Sequence, residues 1–260
     1  MGDAVMDNKM KVLDLFSGIG GFSLGLELAG METVAFCEIE EYPRKVLNKH
    51  WPNVPIYEDV RHVTAKRLRA DGIGRIDVIT GGFPCQDISL AGKQAGIGEG
   101  TRSGLWSECA RILSEFRPSY AIFENVTALL SGDNGRWFQR VLWDISQVGY
   151  DAEWHCIPAS ELGAHHHRDR VWIIAYPKRE RQQGQGQCIE SLDKTPDAYR
   201  EADWLNDAFQ EGRLPYVCRR HDGIPNGLHR IKGLGNAVVP QIPELIGRAI
   251  ISARDRLPNT

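Results

Sequence analysis

Short β-branched apolar runs alternate along this chain with longer stretches in which apolar residues recur at helical spacing. The runs predict strands at Lys11–Phe16, Thr33–Glu38, Pro55–Tyr57, Ile76–Thr80, Tyr120–Phe123, Tyr150–Ile157 and Val171–Tyr176. The stretches predict helices at Phe22–Ala29, Glu41–His50, Thr64–Ala70, Ser103–Phe116, Arg136–Val148 and Ile242–Ala253. This alternation is typical of an α/β fold in which helices cover a mostly parallel sheet.

The pattern weakens between Pro177 and about Pro225, and regular apolar spacing returns at Ile231. The run Arg181–Gln187 is rich in glutamine and glycine, as flexible loops and linkers are. We therefore predict one main domain formed by residues 1–176 and 227–260, with a small region inserted at 177–226.

Composition and charge place the chain among ordinary globular proteins. It has 260 residues, of which 42% are hydrophobic and 25% charged, and its net charge of −3 neither supports nor excludes a nucleic-acid partner. The six cysteines form no C-x-x-C pair, which favours reduced thiols over disulfides or structural zinc. The polar N-terminus and the lack of a membrane-length apolar stretch predict a cytoplasmic protein, in a bacterial or phage setting, with no membrane partner.

A cysteine follows the predicted strand that ends at Thr80. The sequence Gly81-Gly82-Phe83-Pro84-Cys85 stops the strand at a sharp bend, and Pro84 fixes the backbone that presents Cys85. Strand ends are where α/β folds place their chemistry, so Cys85 is a candidate nucleophile. The alternative is a buried core cysteine.

The first predicted strand leads into a glycine-rich turn, Ser17-Gly18-Ile19-Gly20-Gly21. Such a turn lets a cofactor approach the backbone at a helix N-terminus, but Ser23 stands in place of the third glycine of the dinucleotide fingerprint. Glu38 ends the second predicted strand, about 20 residues after this turn. A carboxylate at that position can accept hydrogen bonds from both hydroxyls of a ribose. Asp59 could accept a hydrogen bond from an exocyclic amine such as that of adenine. A solvated loop carboxylate is the alternative for both acids.

Further candidate site residues lie next to two other predicted strands. Glu124-Asn125-Val126 follows the strand Tyr120–Phe123, where apolar neighbours would raise the carboxyl pKa and allow proton donation. Arg168 and Arg170 precede the strand Val171–Tyr176 on one face and could hold a phosphate or orient Glu124. A solvated strand entry is the alternative. Consecutive strand residues point to opposite faces, so His165–His167 do not predict a metal site.

Five motifs in this order resemble those of the DNA (cytosine-5)-methyltransferases. They are Asp14–Phe22, Gly82–Gln86 with Ser89, Glu124–Val126, Arg168–Arg170 and Gly235–Val238. The resemblance covers the chain except for the inserted region. It implies a Rossmann-like, S-adenosylmethionine-dependent methyltransferase fold, in which residues 177–226 form a small target-recognition region.

The resemblance also implies a reaction. Cys85 would add to carbon 6 of a cytosine flipped out of duplex DNA, Glu124 would hydrogen-bond or protonate N3, and Arg168 and Arg170 complete the catalytic set. Carbon 5 would then take the methyl group of S-adenosylmethionine. The implied cofactor-binding residues are Phe16, Gly18, Ile19, Gly20, Glu38, Ile39, Asp59, Val60, Pro84, Leu105, Asn236 and Val238. The implied DNA-binding residues are Gln86, Ser89, Lys93, Arg102, Arg219 and Arg220.

Two departures from the family pattern stand out: His166 replaces a frequent glutamine, and Asp222–Asn226 only weakly matches the motif expected before Gly235. The alternatives are an RNA cytosine-5 methyltransferase on the same scaffold and an inactive DNA-binding regulator. The intact Cys85, Glu124 and Arg170 argue against the regulator. We expect a monomer that binds double-stranded DNA and no metal, and that acts in DNA methylation or restriction-modification.

Overall fold

A seven-stranded mixed sheet forms the centre of the protein. The computed structural model describes residues 9–84, 105–162, 169–178 and 237–255. The strands are β1 (Lys11–Leu15), β2 (Glu32–Cys37), β3 (Ile56–Tyr57), β4 (Val78–Gly81), β5 (Tyr120–Val126), β6 (Tyr150–Pro158) and β7 (Asp169–Pro177). Their spatial order is β3-β2-β1-β4-β5-β7-β6, with β1 to β5 parallel and β7 antiparallel to both β5 and β6.

Helices pack on both faces of this sheet. They are α1 (Gly21–Leu28), α2 (Glu41–His50), α3 (Ala65–Ala70), α4 (Leu105–Phe116), α5 (Ala128–Ser131), α6 (Arg136–Gln147) and α7 (Gln241–Asp255). Two 3₁₀ turns, Val60–His62 and Ala159–Leu162, complete the regular structure of the described residues. No helix among those residues is long and apolar enough to cross a bilayer.

Alternation along the strands divides the core into two layers. On one face, Leu13, Ile79 and Phe123 pack with Trp106 of α4 and Val141 of α6. On the other face, Val12, Ile122 and Trp172 pack with apolar residues of α1 and α7. The C-terminal helix therefore belongs to the same core as the N-terminal strand, as the return of helical spacing after residue 231 predicted.

The strand order reverses beside β1, whose neighbours are β2 on one side and β4 on the other. In open α/β sheets, ligands bind at the carboxyl ends of the strands on either side of such a reversal. The carboxyl ends of β1, β2, β4 and β5 lie at one edge, and antiparallel pairing brings the start of β7 to that edge.

The helix and strand predictions agree closely with the structure, with two corrections at the site. Glu124-Asn125-Val126 lies inside β5 and does not follow it, because the ladder to β7 extends that strand to Val126. The last strand begins at Asp169 and not at Val171, so Arg170 is a strand residue paired with Val126 and Ile157. The sequence pattern also missed α5 and both 3₁₀ turns, which are too short to show a period.

Candidate active site

The turn between β1 and α1 is held in an unusual backbone conformation. Phe16, Gly18 and Gly20 have φ angles of 52°, 53° and 91°, in the left-handed region. Ser17 anchors the turn: its backbone N–H donates to the Cys37 carbonyl at 3.1 Å, and its Oγ donates to the Asp14 carbonyl at 2.6 Å. The turn is therefore fixed to the ends of β1 and β2 before any ligand binds.

The glycines of this turn serve different purposes. A Cβ at Gly18 would meet no atom of the described residues within 4 Å, so the space above this backbone is open. A Cβ at Gly20 would lie 2.6 Å from the Trp51 ring, and one at Gly21 would collide with the Val238 carbonyl. Gly20 and Gly21 thus allow close packing within the protein, whereas Gly18 leaves its backbone accessible to a ligand.

Glu38 lies beside this open backbone, directly after β2. Its Oε2 accepts a hydrogen bond from Gly18 N at 2.7 Å, and its Oε1 accepts one from Glu40 N at 2.8 Å. The residue is 8% exposed, while the neighbouring Ile39 is 66% exposed. A buried acceptor next to an exposed apolar side chain is suited to a ligand with one polar part and one flat apolar part.

Asp59 and Val60 follow β3 and form the start of the first 3₁₀ turn. The Asp59 carboxylate accepts hydrogen bonds from Arg61 N at 3.0 Å and from its guanidinium at 2.6 to 3.1 Å. These bonds lower the pKa of Asp59 to about 2. The Val60 side chain packs in the core, so its expected part in cofactor binding would have to come from its backbone.

Two residues of β5 contact the segment that leads from β4 toward Cys85. Asn125 Nδ2 donates to the Phe83 carbonyl at 3.1 Å in a buried position. A Cβ at Gly82 would lie 3.4 Å from Glu124 Oε2, so this carboxylate rests against the Gly82 backbone. Both contacts place the side chains of Glu124 and Asn125 next to the segment that leads to position 85.

Glu124 is paired with Arg170 across the junction of β5 and β7. Arg170 Nε lies 2.9 Å from Glu124 Oε1, and the two side chains are 21% and 11% exposed, respectively. Arg170 was one of the two arginines expected to orient Glu124, and antiparallel β7 brings its guanidinium beside the carboxylate, so the surroundings of Glu124 are not only apolar. A guanidinium at this distance fixes the orientation of the Glu124 carboxyl group.

Other candidate residues are spread along the same edge or lie outside the described residues. Ile19 and Pro84 are half-buried, Leu105 packs against the core at the start of α4, and Val238 contacts Gly21 before α7. The remaining predicted site residues lie outside the described ranges: Cys85, Gln86, Ser89, Lys93, Arg102, Arg168, Arg219, Arg220 and Asn236.

A buried polar cluster lies beneath this edge, and no individual role was predicted for its residues. Asp14, on β1, is 0% exposed and accepts hydrogen bonds from Ser23 Oγ and Thr80 Oγ1, both at 2.7 Å. Burial raises the pKa of Asp14 to about 6. A signal was present, since a lone carboxylate in the apolar run Val12–Phe16 is unusual for a strand buried on both faces.

The chain is similar to known DNA methyltransferases. The model of the family described as C-5 cytosine-specific DNA methylase matches residues 10–214. The chain is 34% identical over 213 residues to the Type II methyltransferase M.Eco47II of Escherichia coli. The aligned region covers 81% of this chain and 48% of that protein. It is 34% identical over 166 residues to M.NgoBI of Neisseria gonorrhoeae, covering 64% of this chain and 50% of that protein. The chain therefore spans about half the length of these relatives.

Solved structures show the same fold. A DNA modification methyltransferase encoded within an E. coli prophage superposes with a TM-score of 0.56 at 26% identity, over 73% of this chain and 50% of that one. The Entamoeba histolytica methyltransferase EhMeth superposes with a TM-score of 0.65 at 14% identity, over 95% of this chain and 99% of that one, a likeness of fold alone. These neighbours confirm the expected Rossmann-like methyltransferase fold.

Proposed function

The chain belongs to the C-5 cytosine-specific DNA methylase family, and from this premise we propose that it transfers a methyl group from S-adenosylmethionine to carbon 5 of a cytosine in duplex DNA. The observation that carries the proposal is the Glu124–Arg170 ion pair at the sheet edge. The Glu124 carboxylate of this pair lies against Gly82, three positions before Cys85, so the chain can bring a nucleophile and an acidic group to one side of a pyrimidine ring.

The turn at Gly18 and the carboxylate of Glu38 are the proposed binding site of S-adenosylmethionine. The open space above Gly18 admits the amino acid part of the cofactor, and Glu38 offers acceptor oxygens to the ribose hydroxyls. The exposed Ile39 side chain provides an apolar surface for the adenine ring, and Asp59 remains the candidate for its amine. The cofactor supplies an electrophilic methyl group in this site.

The proposed chemistry at the cytosine begins at Cys85. Its thiolate forms a bond to carbon 6, and the electron pair of the ring double bond moves so that carbon 5 becomes nucleophilic. Glu124 in its protonated form, held through Oε1 by Arg170, donates its proton to ring N3 and so neutralises the negative charge that the attack of the thiolate brings onto the ring. After methyl transfer, the carbon 5 proton passes to a base, the Cys85 thiolate departs and the N3 proton returns to Glu124, which restores the neutral ring.

DNA binding and the choice of target sequence are assigned to particular parts of the chain. The base must leave the duplex to reach Cys85, which costs a few kcal/mol of unstacking. We assign cofactor binding and catalysis to residues 1–176 with 227–260, and target reading to 177–226. Within that region, Arg219 and Arg220 are the first candidates for contacts to guanine or phosphate. We propose that the enzyme acts as a monomer in the cytoplasm.

Methyl transfer with radiolabelled S-adenosylmethionine tests the proposal directly. Purified protein should label unmethylated genomic DNA, and the label should be recovered as 5-methylcytosine. Bisulfite sequencing of host DNA with and without the gene should reveal one recurring target sequence. Label found only in tRNA, or in no nucleic acid, would contradict the proposal.

A further inference from the structure

Asp14 is a fully buried carboxylate in the middle of the sheet. It is the fourth residue of β1, and its neighbours Val12, Leu13 and Leu15 are buried apolar residues. Taking a carboxylate out of water is costly unless polar groups replace the solvent. An apolar residue would serve the core at lower cost, so packing alone does not explain a carboxylate at this position.

The two hydroxyl groups that replace the solvent come from different elements. Thr80 is the register partner of Asp14 on β4, and its Oγ1 donates to Oδ1 at 2.7 Å. Ser23 lies in the first turn of α1, and its Oγ donates to Oδ2 at 2.7 Å. Each oxygen of the Asp14 carboxylate thus accepts a hydrogen bond from a different element, Oδ1 from β4 and Oδ2 from α1.

Those two elements lead to the two halves of the proposed site. Thr80 is followed by Gly81, Gly82, Phe83 and Pro84, which deliver Cys85. Ser23 lies two residues after the glycine turn that is proposed to bind the cofactor. The Asp14 carbonyl also accepts the Ser17 hydroxyl at 2.6 Å, which ties the start of that turn to the same residue.

We propose that Asp14 is a positioning residue that sets the placement of the cofactor turn, through Ser23, relative to the strand end that presents Cys85, through Thr80. The proposal rests on the proposed methyltransferase function. It also explains why serine stands in place of the third glycine of the dinucleotide fingerprint: this position supplies a hydroxyl to Asp14. Neither hydroxyl touches substrate or cofactor in this assignment.

Two single variants separate the arms of this arrangement. Ser23→Ala should weaken binding of S-adenosylhomocysteine, measured by calorimetry, on the order of tenfold, with a smaller change in kcat at saturating cofactor. Thr80→Val should lower kcat on unmethylated genomic DNA on the order of tenfold, with a smaller change in cofactor affinity. Ser23→Thr and Thr80→Ser keep a hydroxyl and should restore the parental values.

The matched control is Thr33→Val, in β2. Thr33 is 3% exposed, and its Oγ1 has no hydrogen-bond partner among the described residues, so its loss should change neither measurement. Melting temperatures of all variants identify any general loss of stability. Equal effects of Ser23→Ala and Thr80→Val on affinity and kcat, or failure of the conservative variants to restore them, would overturn the proposal.

Failure of the proposed function would be recognised separately. If the parent protein methylates no DNA, the methyltransferase assignment fails, whatever the variants do. In that case calorimetry still measures the effect of Ser23→Ala on the affinity for S-adenosylhomocysteine. An unchanged affinity in this variant would overturn the positioning role independently.

Discussion

Arg170 and Glu124 lie 2.9 Å apart because β7 runs antiparallel to β5, so that the start of one strand meets the end of the other. Arg170 is the register partner of Val126, two residues beyond Glu124 on the same face of the sheet. The reversed strand therefore brings a cation to the edge where the parallel strands end.

Removing this cation should impair catalysis more than folding. Arg170→Ala leaves the Glu124 carboxylate mostly buried without its guanidinium, and we expect kcat to fall on the order of a hundredfold or more. Arg170→Lys keeps the charge but loses the fixed guanidinium geometry, so it should recover only part of the rate. Steady-state methyl transfer to unmethylated genomic DNA measures both variants.

The matched control for Arg170 is Arg248, whose ion pair with Glu244 lies on the surface of α7. The Arg248 side chain is 57% exposed and pairs with a residue four positions earlier on the same helix, a kind of pair that contributes about 0.3–0.5 kcal/mol, so Arg248→Ala should leave kcat unchanged. A full rate in Arg170→Ala would show that the Glu124–Arg170 pair serves the fold and not the reaction.

Cys85→Ser should abolish methyl transfer and leave cofactor binding nearly intact. The expected nucleophile is a thiolate, and serine cannot replace it at neutral pH. DNA that contains 5-fluorocytosine should trap the parent protein as a covalent adduct, because the fluorine prevents the loss of a proton from carbon 5. Mass spectrometry of the adduct identifies the attached residue.

Other cysteines provide the controls for this assignment. Burial raises the pKa of Cys37 to about 12 and that of Cys109 further, so neither thiol forms a thiolate at neutral pH. Cys156 is exposed on β6, and Cys156→Ser should keep full activity. An adduct mapped to Cys156, or turnover in Cys85→Ser, would contradict the nucleophile assignment.

The sequence predicted the site best where chemistry depends on strand ends. The turn at Gly18 and the carboxylate of Glu38 follow β1 and β2, and the apolar runs located both strands within a residue or two. The types and positions of the residues predicted that Arg168 or Arg170 could orient Glu124, but hydrophobic periodicity carries no information on strand direction, so the antiparallel register that pairs Arg170 with this carboxylate was not predictable. The hydrogen bonds of Asp14 were missed because they join β1 to two other elements, α1 and β4, whose relative placement the apolar pattern does not give.

Glu38→Ala should weaken cofactor binding. The change removes an acceptor of charge-assisted hydrogen bonds, each of which contributes roughly 1.5–3 kcal/mol before compensation. It also frees Gly18 N, so the turn loses one of its anchors. Calorimetric titration with S-adenosylhomocysteine should show an affinity at least about tenfold lower.

Glu40→Gln is the control for Glu38, since Glu40 is exposed and contributes only its backbone N–H to the Glu38 contact. Glu38→Gln should fall between the parent and the alanine variant, because the amide keeps one acceptor oxygen but loses the charge. Parental affinity in Glu38→Ala would mean that the cofactor site lies elsewhere.

Asp14 should make the stability of the protein depend on pH in an unusual direction. Burial raises the pKa of this carboxyl from 3.8 to about 6, so folding favours its protonated form. Its contribution is fully present below the unfolded pKa and is lost as pH rises through about 6, in total about 3 kcal/mol as an order of magnitude. Asp14→Asn removes this titration. Denaturant unfolding between pH 4.5 and 7.5 should therefore show the free energy of unfolding of the parent falling relative to that of the variant, and parallel pH profiles would contradict the prediction.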